Sequence, residues 1–88
     1  MIWKVKWRDS ARKELRKLDG TAQQKILKYL RNRIATDEDP KRFGKALTSN
    51  WKGLWRYRIG DYRLICQIEE DRLTVLVVVV GHRKDVYE

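Results

Sequence analysis

The sequence predicts an α+β domain: an N-terminal strand, two helices in an antiparallel hairpin, then a three-strand antiparallel meander, with the helices packed on a small twisted sheet. Three observations carry this. The first seven residues alternate with period two, as a strand does. Residues 11–34 place apolar side chains at helical spacing. From residue 54 the pattern returns to strands and ends in the apolar run Leu73 to Val80. The length of 88 residues fits one domain, 1–88.

Met1, Trp3, Val5 and Trp7 alternate with Ile2, Lys4 and Lys6, which makes the first strand. Asp9 or Ser10 is expected to cap the helix that follows. In it Ala11, Leu15 and Leu18 recur on one side, with Arg12, Lys13, Arg16 and Lys17 outside. Asp19-Gly20 stops this helix. Thr21-Ala22-Gln23-Gln24 reads as a capping box. Ala22, Ile26, Leu30 and Ile34, with Leu27, form the apolar stripe of a second, longer helix. Pro40 disfavours helix in the residue before it, so Asp37-Glu38-Asp39-Pro40 ends that helix. Residues 37–52 form a long connection with a short helical turn expected around Lys41 to Lys45. Leu54 to Ile59 pairs with Tyr62 to Glu69 through Gly60-Asp61, a glycine-first two-residue turn. Glu69-Glu70-Asp71 then turns into the last strand.

Twenty-one Lys and Arg against twelve Asp and Glu give a formal charge of +9. Such a field attracts polyanions, and the attraction weakens as salt rises. The single Cys66 excludes an internal disulfide. One Cys and one His cannot supply the usual zinc ligand set. In an apolar strand Cys66 reads as a small buried hydrophobe. Met1 to Trp7 lacks the apolar segment of a signal peptide, and the run before Gly81 is far too short to span a membrane. The expectation is a cytoplasmic protein without a membrane partner.

The aromatics Trp51, Trp55, Tyr57 and Tyr62 interleave with Arg56, Arg58 and Arg63. Strand alternation places Arg56 and Arg58 on one face and turns Trp55, Tyr57 and Ile59 toward the helices. In the last strand it gives Val75, Val77, Val79, Gly81 and Arg83 one face, and Val78, Val80 and His82 the other. The sheet is therefore expected to gather Arg56, Arg58, Arg63 and Arg83 into one exposed basic surface, with Arg63 and Arg83 at its rim. Lys45, Lys52 and Lys84 extend it. The bland alternative is a set of solvated strand faces. Four guanidiniums beside Tyr87 fit a phosphate better.

What is missing narrows the chemistry. Asp37, Glu38, Asp39, Glu69, Glu70 and Asp71 sit at turns, not in a metal-binding cluster. There is no Gly-rich phosphate loop, and a lone His offers no ready Ser-His-Asp set. No metal and no cofactor are expected. Metal-free phosphoryl transfer on RNA remains, because RNA carries its own nucleophile, the 2′-hydroxyl. The protein must align it, withdraw its proton, stabilise charge on the phosphate and protonate the leaving 5′-oxygen. Tyr87 or His82 can move protons, and adjacent guanidiniums lower a tyrosine's pKa by favouring the phenolate.

The segment Gly53-Leu54-Trp55-Arg56-Tyr57-Arg58-Ile59-Gly60-Asp61-Tyr62-Arg63-Leu64-Ile65, followed by Gly81-His82-Arg83-Lys84-Asp85-Val86-Tyr87, resembles the RelE family of toxin–antitoxin toxins. Ala11-Arg12-Lys13-Glu14-Leu15-Arg16-Lys17-Leu18 fits it too. The resemblance covers nearly the whole chain and implies an mRNA endonuclease acting in the ribosomal A site. It also implies a cognate acidic antitoxin that holds the toxin inactive in a hetero-oligomer. By position it assigns RNA contact to Arg56 and Arg58, and charge stabilisation to Arg63 and Arg83, with Arg83 also a candidate acid. It makes Tyr87 a candidate base. Well-known members carry lysines where Arg56 and Arg58 stand; arginine stays protonated, which weighs against a base role there. The spacing from Arg83 to Tyr87 is shorter than in some members, and His82 is the natural substitute. Two other readings differ in kind: a ParE-like toxin that poisons DNA gyrase by binding, and a non-catalytic RNA-binding module. Tyr87 separates them from the first, because binding tolerates Phe there and proton transfer does not.

Overall fold

The computed structural model describes residues 1–84. Five strands form one mixed sheet in the order β1-β5-β4-β3-β2, with β1 Lys4–Trp7, β2 Lys45–Ala46, β3 Trp55–Ile59, β4 Tyr62–Glu69 and β5 Thr74–His82. Two helices, α1 Asp9–Arg16 and α2 Gly20–Tyr29, lie between β1 and β2 in sequence. The first strand returns to pair in parallel with the last, Val5 against Val75 and Trp7 against Val77. The other pairings are antiparallel.

The helices bury the faces their spacing dictates. Ala11 and Leu15 of α1, and Ile26 of α2, pack with Tyr57, Ile59, Leu64, Cys66, Val75 and Val77 of the sheet, and Ala22 of α2 is buried as well. Burying each large aliphatic side chain of this set contributes roughly 1.5–3 kcal/mol. Leu30 and Ile34 join the same core, but through a π-turn, Leu30–Ile34, into which α2 widens. The expected longer helix is thus a ten-residue helix plus this turn, and Leu27 is 38% exposed instead of joining the core. Both expected caps move. Arg8 occupies the α1 cap position without a side-chain bond, and Asp9 lies inside the first turn. Asp19, not Thr21, caps α2 by accepting the Ala22 N–H at 2.8 Å.

The connection is more ordered than expected. A 3-10 turn at Pro40–Phe43 begins at Asp39, whose side chain accepts the Lys41 N–H. Short β2 then adds a strand that the sequence reading did not include. The Tyr57 hydroxyl donates to the Pro40 carbonyl at 2.7 Å and ties this segment to β3. At the hairpin, Gly60 takes a φ of +59°, the left-handed value that a glycine-first turn needs.

The last strand corrects the expected alternation. It starts at Thr74, because Leu73 takes a left-handed φ of 47°, and it runs on to His82. Ile65 pairs with Val79 but Cys66 pairs with Val77, so Val78 is an extra residue in a β-bulge. Side-chain direction flips there. Val77 faces the helices, whereas Val79 lies on the other face with Ile65 and Leu47. Without the bulge, Gly81 and residue 83 would share the core parity of Val77.

Candidate nucleic-acid interface

Residues opposite each other in a sheet share a face. On the face away from the helices, Lys45 lies opposite Arg56, Arg56 opposite Ile65, and Ile65 opposite Val79. Nearer the hairpin, Arg58 lies opposite Arg63 and Arg63 opposite Gly81. Ile65, Leu47, Val79, Trp51 and Leu54 supply the apolar part of this face. The register therefore brings Arg56, Arg58 and Arg63 together as the sequence pattern requires, and β2 adds Lys45 beside them.

Exposure differs from expectation. Arg58 is exposed, but Arg56 and Arg63 are only 8% and 9% exposed. Both sit in inner strands of the sheet, flanked on either side. The Arg63 Nη1 is buried without a hydrogen-bond partner among the described residues. A buried donor left unmade costs roughly 1–3 kcal/mol. Burial holds the Arg63 guanidinium below its ordinary range, Arg58 and Arg83 push the same way, and Asp61 opposes them. Arg56 is lowered first by burial, then by Arg63 and Arg58. These guanidiniums raise one another's cost, and an anion among them would lower it.

Arg83 is held by a residue read from sequence only as part of a turn. Its N–H donates to the Asp61 carbonyl at 2.7 Å, and its Nη1 lies 3.8 Å from Asp61 Oδ1. The signal for Asp61 is the register itself: with Tyr62 opposite His82, the hairpin tip must lie beside residue 83.

His82 is not with the arginines. It lies on the helix side, opposite Tyr62, with the two rings edge to face at 5.7 Å. Its Nδ1 accepts the Lys84 N–H at 3.3 Å. Next to it α1 contributes Glu14, whose Oε1 accepts the Val80 N–H at 3.1 Å. Lys84 is exposed, one residue past Arg83. Lys52 is exposed after the Ser49–Trp51 turn, and strand register does not tie it to the arginines. Tyr87 lies outside the described residues. Cys66 is fully buried and its thiol is pushed up by that burial, which suits the hydrophobe read from sequence. Among the described residues, no three His, Cys, Asp or Glu side chains stand together as a metal site. No helix among them is long and apolar enough to cross a membrane.

Known proteins share this plan. The family model described as ParE toxin of type II toxin-antitoxin system, parDE, matches residues 5–87. Toxin RelG of Mycobacterium tuberculosis is 30% identical over 87 residues, covering 99% of this chain and 98% of that protein. A putative RelE-like toxin protein of Escherichia coli is 33% identical over 89 residues, covering 99% of this chain and 92% of the relative. Among solved structures, the toxin–antitoxin complex RelBE2 of M. tuberculosis contains a chain with a TM-score of 0.86 at 28% identity, covering 94% of this chain and all of that one. The RelE–RelB complex of Pyrococcus horikoshii shares the fold, with a TM-score of 0.72 at 22% identity over 98% of this chain and 100% of that one.

Proposed function

Because the chain belongs to the ParE toxin family of type II toxin–antitoxin systems, within the RelE/ParE superfamily, we propose that this toxin acts as a metal-independent endoribonuclease on mRNA. One observation carries the proposal. Arg58 and Arg63 face each other with Arg83 near, and Arg63 keeps a buried donor without a partner among the described residues. This is the charge pattern of a site for a phosphate that gains charge during reaction. In the proposed reaction the 2′-hydroxyl oxygen forms a bond to the scissile phosphorus as the bond to the 5′-oxygen breaks. Arg63, Arg58 and Arg83 stabilise the phosphorane charge, while Arg56 and Lys45 hold the flanking backbone. Tyr87 takes the 2′-hydroxyl proton, and Arg83 is the candidate donor to the leaving oxygen. The helix-side position of His82 favours Tyr87 over it as the proton acceptor.

Ribosome dependence, with cleavage in the A site of a cytoplasmic ribosome, belongs to the same proposal, as does a cognate acidic antitoxin. The similar RelBE2 and RelE–RelB structures are both toxin–antitoxin complexes. The groove of Val5, Trp7, Leu27, Leu30 and Ala35 beside Arg31 offers such a partner apolar surface on the helix side. Gyrase poisoning is the second reading, favoured by the ParE description of the matching family. Induced expression of the chain and of its Arg83→Ala variant, with mapping of mRNA 5′ ends, tests the proposal. New 5′ ends that depend on Arg83 support it. Growth arrest without mRNA cleavage, accompanied by gyrase–DNA damage, favours the second reading.

A further inference from the structure

We infer a second RNA-contact surface, on the outer side of α2, that carries the strand leaving the arginine face around the β3–β4 hairpin tip. It rests on the RNA reading of the arginine face. Lys25, Lys28 and Arg31 are all exposed and stand three residues apart, running from α2 into the π-turn. Residues 20–35 hold four cations, these three and Arg33, and no Asp or Glu. None of the four has an ion-pair partner among the described residues. Like charges one turn apart repel and weaken a helix. The uncompensated row fits a polyanion.

The row also has a path to the arginines. Lys25 and Lys28 stand between two grooves. One runs back along α2 past Thr21 and Gln24, and the other runs to Ile59 and Gly60 at the hairpin. A Cβ placed on Gly60 would lie 3.8 Å from Lys25 Nζ, so this ammonium reaches the tip. The next residue, Asp61, holds Arg83. The arginine face and the lysine ridge thus meet at Gly60, whose missing side chain leaves the crossing low. At the far end of the second groove, the Arg33 guanidinium lies 5.4 Å over the Tyr29 ring and 5.2 Å over Phe43. A guanidinium–aromatic stack is a platform on which a base can lie. It is set by the π-turn, a feature frequent at functional sites.

An acidic protein segment is the competing polyanion. The groove along Gly20, Thr21, Gln24, Lys25, Lys28 and Arg31 holds no aliphatic apolar side chain, whereas the apolar groove around Leu27 lies on the β1 side. A groove lined by cationic, hydroxyl and amide side chains favours nucleic acid, where backbone contacts dominate.

The test uses the full chain carrying Arg83→Ala to suppress cleavage, and fluorescein-labelled single-stranded RNA across a salt series. Lys25→Gln/Lys28→Gln/Arg31→Gln is compared with the charge-matched Arg12→Gln/Lys13→Gln/Arg16→Gln on α1. The ridge variant is expected to flatten the slope of log affinity against log salt by about 2, since each single-strand contact contributes roughly 0.7. The α1 variant should lose less than half as much. Equal slopes for the two variants would overturn this surface and leave the arginine face standing. Absence of salt-dependent binding by the chain with both surfaces intact would overturn the RNA reading as well. A ridge variant that binds RNA normally but loses poly-glutamate would identify a protein-docking face and overturn the inference.

Discussion

Arg58 and Arg63 stand directly opposite each other on neighbouring strands. Like charges in that position destabilise an antiparallel pair. Arg63 adds a buried donor without a partner among the described residues, and its guanidinium is depressed by burial and by Arg58. The sheet keeps this pair at a cost to its own stability, and a phosphate between the guanidiniums would relieve it.

Arg63→Met should therefore stabilise the fold and remove its toxicity. Replacing a buried, unsatisfied charge with a packed apolar chain is expected to add about 1 kcal/mol. Loss of one charge stabiliser should slow cleavage by roughly 10²–10³. Urea unfolding and growth arrest, measured on the same variant, check both halves. A less stable Arg63→Met would make Arg63 a structural residue.

Much of this face was legible because alternation is a property of strands. Arg56 and Arg58 take the face opposite Tyr57 and Ile59 as their parity requires. The bulge was not legible. Val77, Val78, Val79 and Val80 are identical side chains, and nothing in such a run marks the residue that steps out of register. Strict parity put Val77 and Val79 on one face, and they lie on two. Burial of Arg56 and Arg63 was also hidden, since it depends on how neighbouring strands flank them. The α2 cap moved because Asp19, a stronger cap than Thr, takes the first free N–H of that helix. The two-residue β2 has too little pattern to read.

The proton carrier can be decided by two conservative changes. His82 stacks edge-on against Tyr62 on the helix side. His82→Gln should leave cleavage within about threefold and cost stability mainly through that contact, worth roughly 0.5–1.5 kcal/mol, with the exposed bond from the Lys84 N–H a smaller part. Tyr87→Phe removes only a hydroxyl and should lower cleavage by roughly 10²–10⁴ with RNA binding unchanged. Single-turnover cleavage beside RNA affinity separates the two. A severe His82→Gln with a silent Tyr87→Phe would transfer the role to the histidine.

Cys66 gives the fold a pH signature. Burial raises its thiol pKa in the native state. In the unfolded chain it ionises near pH 8.5, so above that pH the unfolded state binds fewer protons and stability falls. The expected slope approaches about 1.4 kcal/mol per pH unit between roughly pH 8.5 and 10. Cys66→Ala should lower stability overall through lost packing and flatten that slope. A slope unchanged in Cys66→Ala would assign it to other groups. Tyr57, also raised by burial, enters only above its ordinary value of 10.0.

In the proposed reaction the RNA attacks its own phosphate while the protein supplies charge and a proton acceptor. The direct measurement replaces the 2′-hydroxyl of the scissile nucleotide with hydrogen in a synthetic mRNA set in the ribosomal A site. This substrate should bind and stay uncut, while the all-ribose substrate should yield a 2′,3′-cyclic phosphate, or the 3′-phosphate formed from it, and a 5′-hydroxyl. Cleavage of the 2′-deoxy substrate at the normal rate, leaving a 5′-phosphate, would contradict it. Water would then be the nucleophile, and Arg58, Arg63 and Arg83 would be holding the phosphate for a different reaction.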